Sequence, residues 1–115
     1  MSDPNCFFCK MVAGAIPVRK AYEDDHVLAF HDIAPQAPHH LLLIPKEHLA
    51  SLNDAQDYKI LLGHLLTLVP EIAQTEGFAE SGYRTVINTG ADGGQTVFHL
   101  HIHLLAGRPL TWPPG

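Results

Sequence analysis

Nine of the 115 residues are histidine, the side chain best suited to chemistry at neutral pH, and three of them fall in one run, His99-Leu100-His101-Ile102-His103. Imidazole is a nucleophile, a near-neutral acid and base, and a metal ligand. In an extended strand alternate side chains share a face, so the three imidazoles are expected on one side, about 7 Å apart at the backbone. Leu100, Ile102 and Leu104 then take the opposite, core-facing side. His39 and His40 open a second apolar run, and only one of that pair can face the triad. A His-x-His pair is also a zinc half-site, so nucleophile and metal ligand both remain open on residue type alone.

Three further features can join the triad. Gly90-Ala91-Asp92-Gly93-Gly94-Gln95-Thr96 immediately precedes it. Adjacent glycines allow close backbone approach to a ligand, and successive N–H groups can form an anion nest, with Gln95 and Thr96 adding amide and hydroxyl donors. Asp32, at the end of an expected strand, can accept two hydrogen bonds from the vicinal hydroxyls of a ribose or cap the turn that follows. Cys6-Phe7-Phe8-Cys9 fits a redox pair, half of a zinc site, or two buried apolar residues.

The elements that must position these residues are legible from pattern. A short helix is expected over residues 6–14, closed by Gly14 and Pro17. Lys20–Glu23 and His26–His31 flank Asp24-Asp25 as a hairpin, His40–Pro45 reads as a buried strand, and Asp32 to Pro38 as a loop. From Asp54 to Glu76, Ile60, Leu61, Leu65, Leu68, Val69 and Ile72 recur at helical spacing. Asn53 or Asp54 is the expected cap, Gly77 the stop, and Pro70 a kink. Tyr83–Asn88 and Thr96–Leu105 complete the strands, and Gly107–Gly115 forms an extended tail. The sum is an α+β domain over residues 1–115 with a mainly antiparallel sheet.

The run His99–Leu105, HLHIHLL, resembles the hallmark of the histidine triad (HIT) superfamily. The blocks EDDHVLAFHDIAPQAPHHLLLIPKEHL and GYRTVINTGADGGQTVFHLHIHLLAGRPL, with the terminal WPPG, are similar to its Hint branch, the purine nucleoside phosphoramidases, from about Phe7 to Gly115. The resemblance implies a five-stranded HIT fold with one long and one short N-terminal helix, dimerising into a larger continuous sheet. It implies that His101 attacks the α-phosphorus of a nucleoside 5′-phosphoramidate, with His40 and His103 beside it and His99 as the outer member. Asn88, Gly94, Thr96 and Val97 match phosphate- and ribose-contacting positions, Asp32 the ribose acid, and Phe30 and Ile33 the purine pocket. Trp112 matches a tail residue that reaches the partner subunit's site. Bacterial relatives complete the Cys-x-x-Cys with two histidines, which here are His48 and His99, giving a structural zinc site of Cys6, Cys9, His48 and His99; catalysis itself requires no cofactor.

Composition narrows the partners. Hydrophobic residues make up 46% and charged residues 17%, as in a globular chain, and the net charge of −5 argues against nucleic acid or anionic membrane as a partner. No run reaches the roughly 20 apolar residues of a membrane span. The N-terminus lacks a basic segment followed by an apolar one, so a cytoplasmic location is expected, with both thiols reduced.

Overall fold

A computed structural model describes residues 2–115. Its elements are α1 (Phe7–Val12), β1 (Lys20–Glu23), β2 (Val27–His31), β3 (His39–Pro45), a 3₁₀ turn (Leu52–Asp54), α2 (Lys59–Glu76), β4 (Tyr83–Val86) and β5 (Ile102–Ala106). The five strands form one sheet in the order β1-β2-β3-β5-β4, and every neighbouring pair is antiparallel. The fold is α+β, as expected.

Period-two alternation divides the central strands between two layers. Val27, Ala29, Leu41, Leu43, Ile102 and Leu104 face α2, where Leu65, Leu68, Val69, Ile72 and Ala73 close the main core. Leu28, Phe30, Leu42 and Ile44 face the other way, against Phe8, Cys9 and Met11 around α1. The same alternation sends His39 toward the α2 side, its ring 5.0 Å from that of Phe78, and His40 toward the α1 side. The chemistry therefore collects on the face that carries the small helix.

Helix α2 begins at Lys59, later than expected, because Asp54 is engaged elsewhere. Its carboxylate accepts from the Ser51 N–H in a capping box that closes the 3₁₀ turn, while Tyr58 caps α2 without a side-chain bond. Ile60 then lies off the buried stripe and is 91% exposed, contrary to its expected core role. Gly77 ends the helix in the left-handed region at φ 90°, as expected. Pro70 sits within α2 on its exposed side, and the helical partner that its missing N–H would have had is the carbonyl of the exposed Leu66. His64 ties α2 to the β1–β2 turn, its Nε2 2.6 Å from the Asp24 carboxylate.

The largest departure concerns the triad strand. Instead of running from Thr96, the ladder starts at Ile102, opposite Leu43. Two residues further, at the next hydrogen-bonded pair, Leu100 would lie opposite Pro45, which has no N–H to give, and the Pro45 carbonyl already accepts from the His99 ring at 2.8 Å. Residues 96–101 therefore follow an irregular path, and His99 and His101 are not strand residues.

Candidate active site and metal-ligand cluster

His101 lies 8% exposed at the floor of a cleft of about 380 Å³ between α1 and the Gly90–Thr96 loop. Its Nδ1 is 2.7 Å from the His99 carbonyl oxygen. A carbonyl can only accept, so the ring proton sits on Nδ1 and the Nε2 lone pair is left available. Phe8 packs edge-on against the same ring, centroids 5.3 Å apart at 89°. A neutral imidazole with its proton placed by the backbone is a prepared nucleophile.

A second chain of bonds fixes its neighbours. The Gln36 N–H donates to His40 Nδ1 at 3.0 Å, which leaves the His40 proton on Nε2. That nitrogen faces His103 Nδ1 at 2.9 Å and Asp32 Oδ2 at 3.5 Å. His103 thus accepts on Nδ1 and keeps a proton on Nε2, and its ring centroid lies 4.9 Å from that of His101. Arg108 stands behind this relay, donating to the Gln36 carbonyl at 3.0 Å, in keeping with a structural role.

Burial keeps the relay neutral. Desolvation pushes His103 down to about 4, helped by His101 and His40, and pushes His40 down against the opposing pull of Asp32. The unfolded histidine titrates near 6.5. As the pH drops from there toward 4, the unfolded chain takes up protons that the folded one refuses, so stability falls across that window and is fully restored above it. The urea midpoint is accordingly expected to be lower at about pH 5 than at about pH 7.5, and a His40→Gln, His103→Gln variant should lose part of that dependence.

The cleft wall gathers most of the expected ligand contacts: Phe30, Asp32, Ile33, Asn88, Gly94, Thr96 and Val97 all line it. Asp32 also caps its turn, Oδ1 accepting from the Ala34 N–H at 2.9 Å, so both of its expected roles are compatible. Two expectations need correction. Gln95 is buried and its amide is spent inside the protein, donating to the Ala50 and Val97 carbonyls and accepting from the Gly90 N–H, so it braces the loop. Trp112, expected at a partner's site and not at its own, is 82% exposed and does not line this chain's cleft, and Arg84 holds the tail through the Leu110 and Thr111 carbonyls. The amides of Gly94 and Gln95 close the loop onto Ala91 and Gly90, so neither is available to an anion nest. Gly93 is required by space, since a Cβ there would stand 2.4 Å from the Thr89 carbonyl oxygen.

His99 is likewise removed from the cleft. Fully buried, it turns its Nδ1 lone pair away from His101 and toward Cys6 Sγ at 3.3 Å, Cys9 Sγ at 3.6 Å and His48 Nδ1 at 3.2 Å, while Nε2–H donates to the Pro45 carbonyl. His48 Nδ1 lies 3.4 Å from Cys9 Sγ, and all four donor atoms fall within 4.8 Å of one another. Zinc bonds of ordinary length in a tetrahedron put donors about 3.3–3.8 Å apart, so the set fits that ion. Further support comes from the N–H groups of Cys9 and Asp3, which donate to Cys6 Sγ and Cys9 Sγ and favour thiolates. Burial, by contrast, pushes the Cys9 thiol up, so a cation would displace protons on binding.

The HIT domain family model matches residues 13–110. The chain belongs to the HIT family. Its match excludes Cys6 and Cys9, which precede the matched segment. Among solved members, a HIT family hydrolase from Legionella pneumophila superposes with a TM-score of 0.94 at 53% identity, covering 96% of this chain and 100% of that one. A 14 kDa zinc-binding protein of Zea mays is 48% identical, covering 100% of this chain and 91% of its own. An adenylylsulfatase HINT1 of Arabidopsis thaliana is also 48% identical, over 99% of this chain and 79% of its own.

The sequence reading missed several groups that position the HIT triad: the Gln36 amide, the Pro45 and His99 carbonyls, and Phe8. Three are backbone atoms, which carry no residue-type signal. Phe8 had one, since it sits between the two cysteines.

Proposed function

We propose that this HIT protein is a hydrolase that cleaves the P–N bond of purine nucleoside 5′-phosphoramidates, releasing the amine and the nucleoside monophosphate. The observation that carries this is His101, whose Nδ1–H is bound to the His99 carbonyl and whose Nε2 lone pair is left available in the cleft. Nε2 attacks the α-phosphorus, the new P–N bond forms as the bond to the amine breaks, and the amine departs with a proton. His103 Nε2–H and the Thr96 hydroxyl are the donors within the cleft for that proton or for the phosphoryl oxygens. Water then displaces His101 from phosphorus and restores the free imidazole. Splitting the displacement in two lets the amine leave before water enters.

Asp32 receives the ribose hydroxyls, Phe30 and Ile33 flank the purine, and Asn88, Thr96 and Val97 surround the phosphate. An anion nest would use the amides of Thr96 and Val97. This arrangement suits a chain with few basic residues, because amides, a hydroxyl and imidazoles hold the phosphate in place of an arginine cluster. Cys6, Cys9, His48 and His99 would hold zinc, whose part is to tie α1 to the body of the protein; the name of the Zea mays relative supports that choice of metal. The protein acts as a homodimer, for which β4, one of the two outer edges of the sheet, and the exposed Ile60 and Trp112 are surfaces open to a second copy. Trp112 would then reach a leaving group in the partner's cleft.

A second substrate class has a specific support. The Arabidopsis relative is named for adenylyl sulfate, which presents the same adenylyl phosphorus with a different leaving group. Rates on an AMP–amine, diadenosine tetraphosphate and adenylyl sulfate, measured side by side, decide the point. The AMP–amine is expected to turn over at least about tenfold faster in kcat/KM, about 1.4 kcal/mol in the transition state. Faster cleavage of either other compound would reassign the substrate. AMP binding without turnover of any of the three would make this a nucleotide-binding protein.

A further inference from the structure

The nucleophile lies one residue outside the sheet. The β5 ladder begins at Ile102, so no strand pairing fixes the peptide units that carry His99, Leu100 and His101. Other contacts do that work. The Leu100 N–H donates to the Leu49 carbonyl at 2.7 Å, and the His99 Nε2–H donates to the Pro45 carbonyl at 2.8 Å. The remaining anchor is His99 Nδ1, which meets Cys6, Cys9 and His48. His99 therefore has one ring nitrogen in the metal-ligand cluster and its own carbonyl on the ring proton of His101.

Phe8 makes a second connection between the same two places. It lies between Cys6 and Cys9 in α1, and its ring packs edge-on against both His99, at 5.8 Å, and His101, at 5.3 Å. The cluster thus joins three segments that share no strand pairing: the N-terminal helix, the exit of β3, and the irregular stretch before β5. Without a cation the thiols keep protons that they can donate to the imidazoles, but S–H is a weak donor, so these contacts hold the set less firmly than a shared cation would.

We propose that the Cys6, Cys9, His48 and His99 cluster is a positioning device for the nucleophile, with metal binding at His99 fixing the peptide whose carbonyl keeps the proton of His101 on Nδ1. His99 is a positioning residue here, acting through its main chain. With the cation removed, the His99 ring keeps its bond to Pro45 and its peptide keeps the Leu100 N–H on Leu49, but the third anchor is lost, so the His99 carbonyl gains freedom and holds the Nδ1–H form of His101 less firmly. A share of His101 then carries its proton on Nε2, where the attacking lone pair should be.

This inference rests on the metal reading and on His101 as nucleophile, and it is tested by a signal that turnover does not supply. Protein labelled with ¹⁵N in histidine is stripped with a chelator, then titrated with zinc chloride, well below its melting temperature. Zinc is expected to convert His101 from exchange between two ring tautomers to the Nδ1–H form alone, with kcat on an AMP–amine rising at least about tenfold. Amide exchange at Ile102 and Leu104, in the ladder, should stay slow in both states, which separates a local effect from general loosening. Should the stripped protein fail to stay folded, His48→Ala, which leaves three donors, provides the weak-metal state for the same comparison. An identical His101 spectrum with and without zinc would overturn the proposal, as would a titration that shows no zinc bound. A zinc-dependent tautomer without turnover in either state would uphold the coupling and remove the phosphoramidase reading.

Discussion

Replacing His101 with alanine is expected to reduce turnover of an AMP–amine by at least about a thousandfold while leaving the fold in place. The size of the loss follows from the chemistry. The two-step route needs a lone pair on one atom, and no neighbouring imidazole offers it in the same way. His103 faces His40 with its Nδ1, and the His99 ring is turned into the cysteine cluster. The fold should survive because Ile102 and Leu104, which face the α2 core, are untouched. Some stability will be lost, since the buried His99 carbonyl loses its donor and Phe8 a packing partner, together about 1–3 kcal/mol. Circular dichroism should match the parent, with a melting point several degrees lower. Activity above a tenth of the parent would remove His101 from the role of nucleophile. His103→Ala, which deletes a donor and spares the attacking atom, should cost less, on the order of a hundredfold.

Chelation should produce the largest change in stability. Helix α1 has six residues, too few to persist alone, and it is held by Phe8 and Met11 in the smaller core and by its two cysteines. Losing the metal would leave two buried thiols, a buried imidazole and His48 without a common partner. We expect a loss of about 3 kcal/mol, which for a chain of this size is about 10 °C in melting temperature. The Cys6→Ser, Cys9→Ser variant should melt near the chelated parent and be indifferent to chelator. Elemental analysis of protein purified without chelator should find about one zinc per chain. Equal melting with and without chelator, in protein that carries no zinc, would defeat this expectation.

How much of the site the residues themselves revealed depended on the kind of group involved. His101, His103, His40 and Asp32 were legible because imidazole and carboxylate side chains advertise their chemistry. The alternation in His39-His40 also correctly sent one ring to each face. Gln95 was misplaced for a related reason: an amide beside a glycine loop looks like a ligand donor, and only the fold showed its bonds spent on Ala50, Val97 and Gly90. Trp112, expected at a partner subunit's site, stands exposed on a tail that Arg84 holds through the Leu110 and Thr111 carbonyls.

The sequence by itself determined the α+β fold with its antiparallel sheet and the sides of the sheet, and the family resemblance grouped Cys6, Cys9 and His48 with His99. The fold rests on local pattern, period-two and period-3.6 hydrophobicity and glycine stops, and the ligand set on the resemblance of the Cys-x-x-Cys to that of bacterial relatives. Only the tertiary structure decided where the triad strand begins and which ring nitrogen of each histidine carries the proton. Pro45 ends the ladder by lacking an N–H, and its carbonyl, with those of His99 and Leu49 and the Gln36 amide, sets the positions of the side chains that react. Those are main-chain atoms, the same in every residue but proline, so no sequence pattern marks them. Their effect comes from distance and direction, which exist only once the chain has folded.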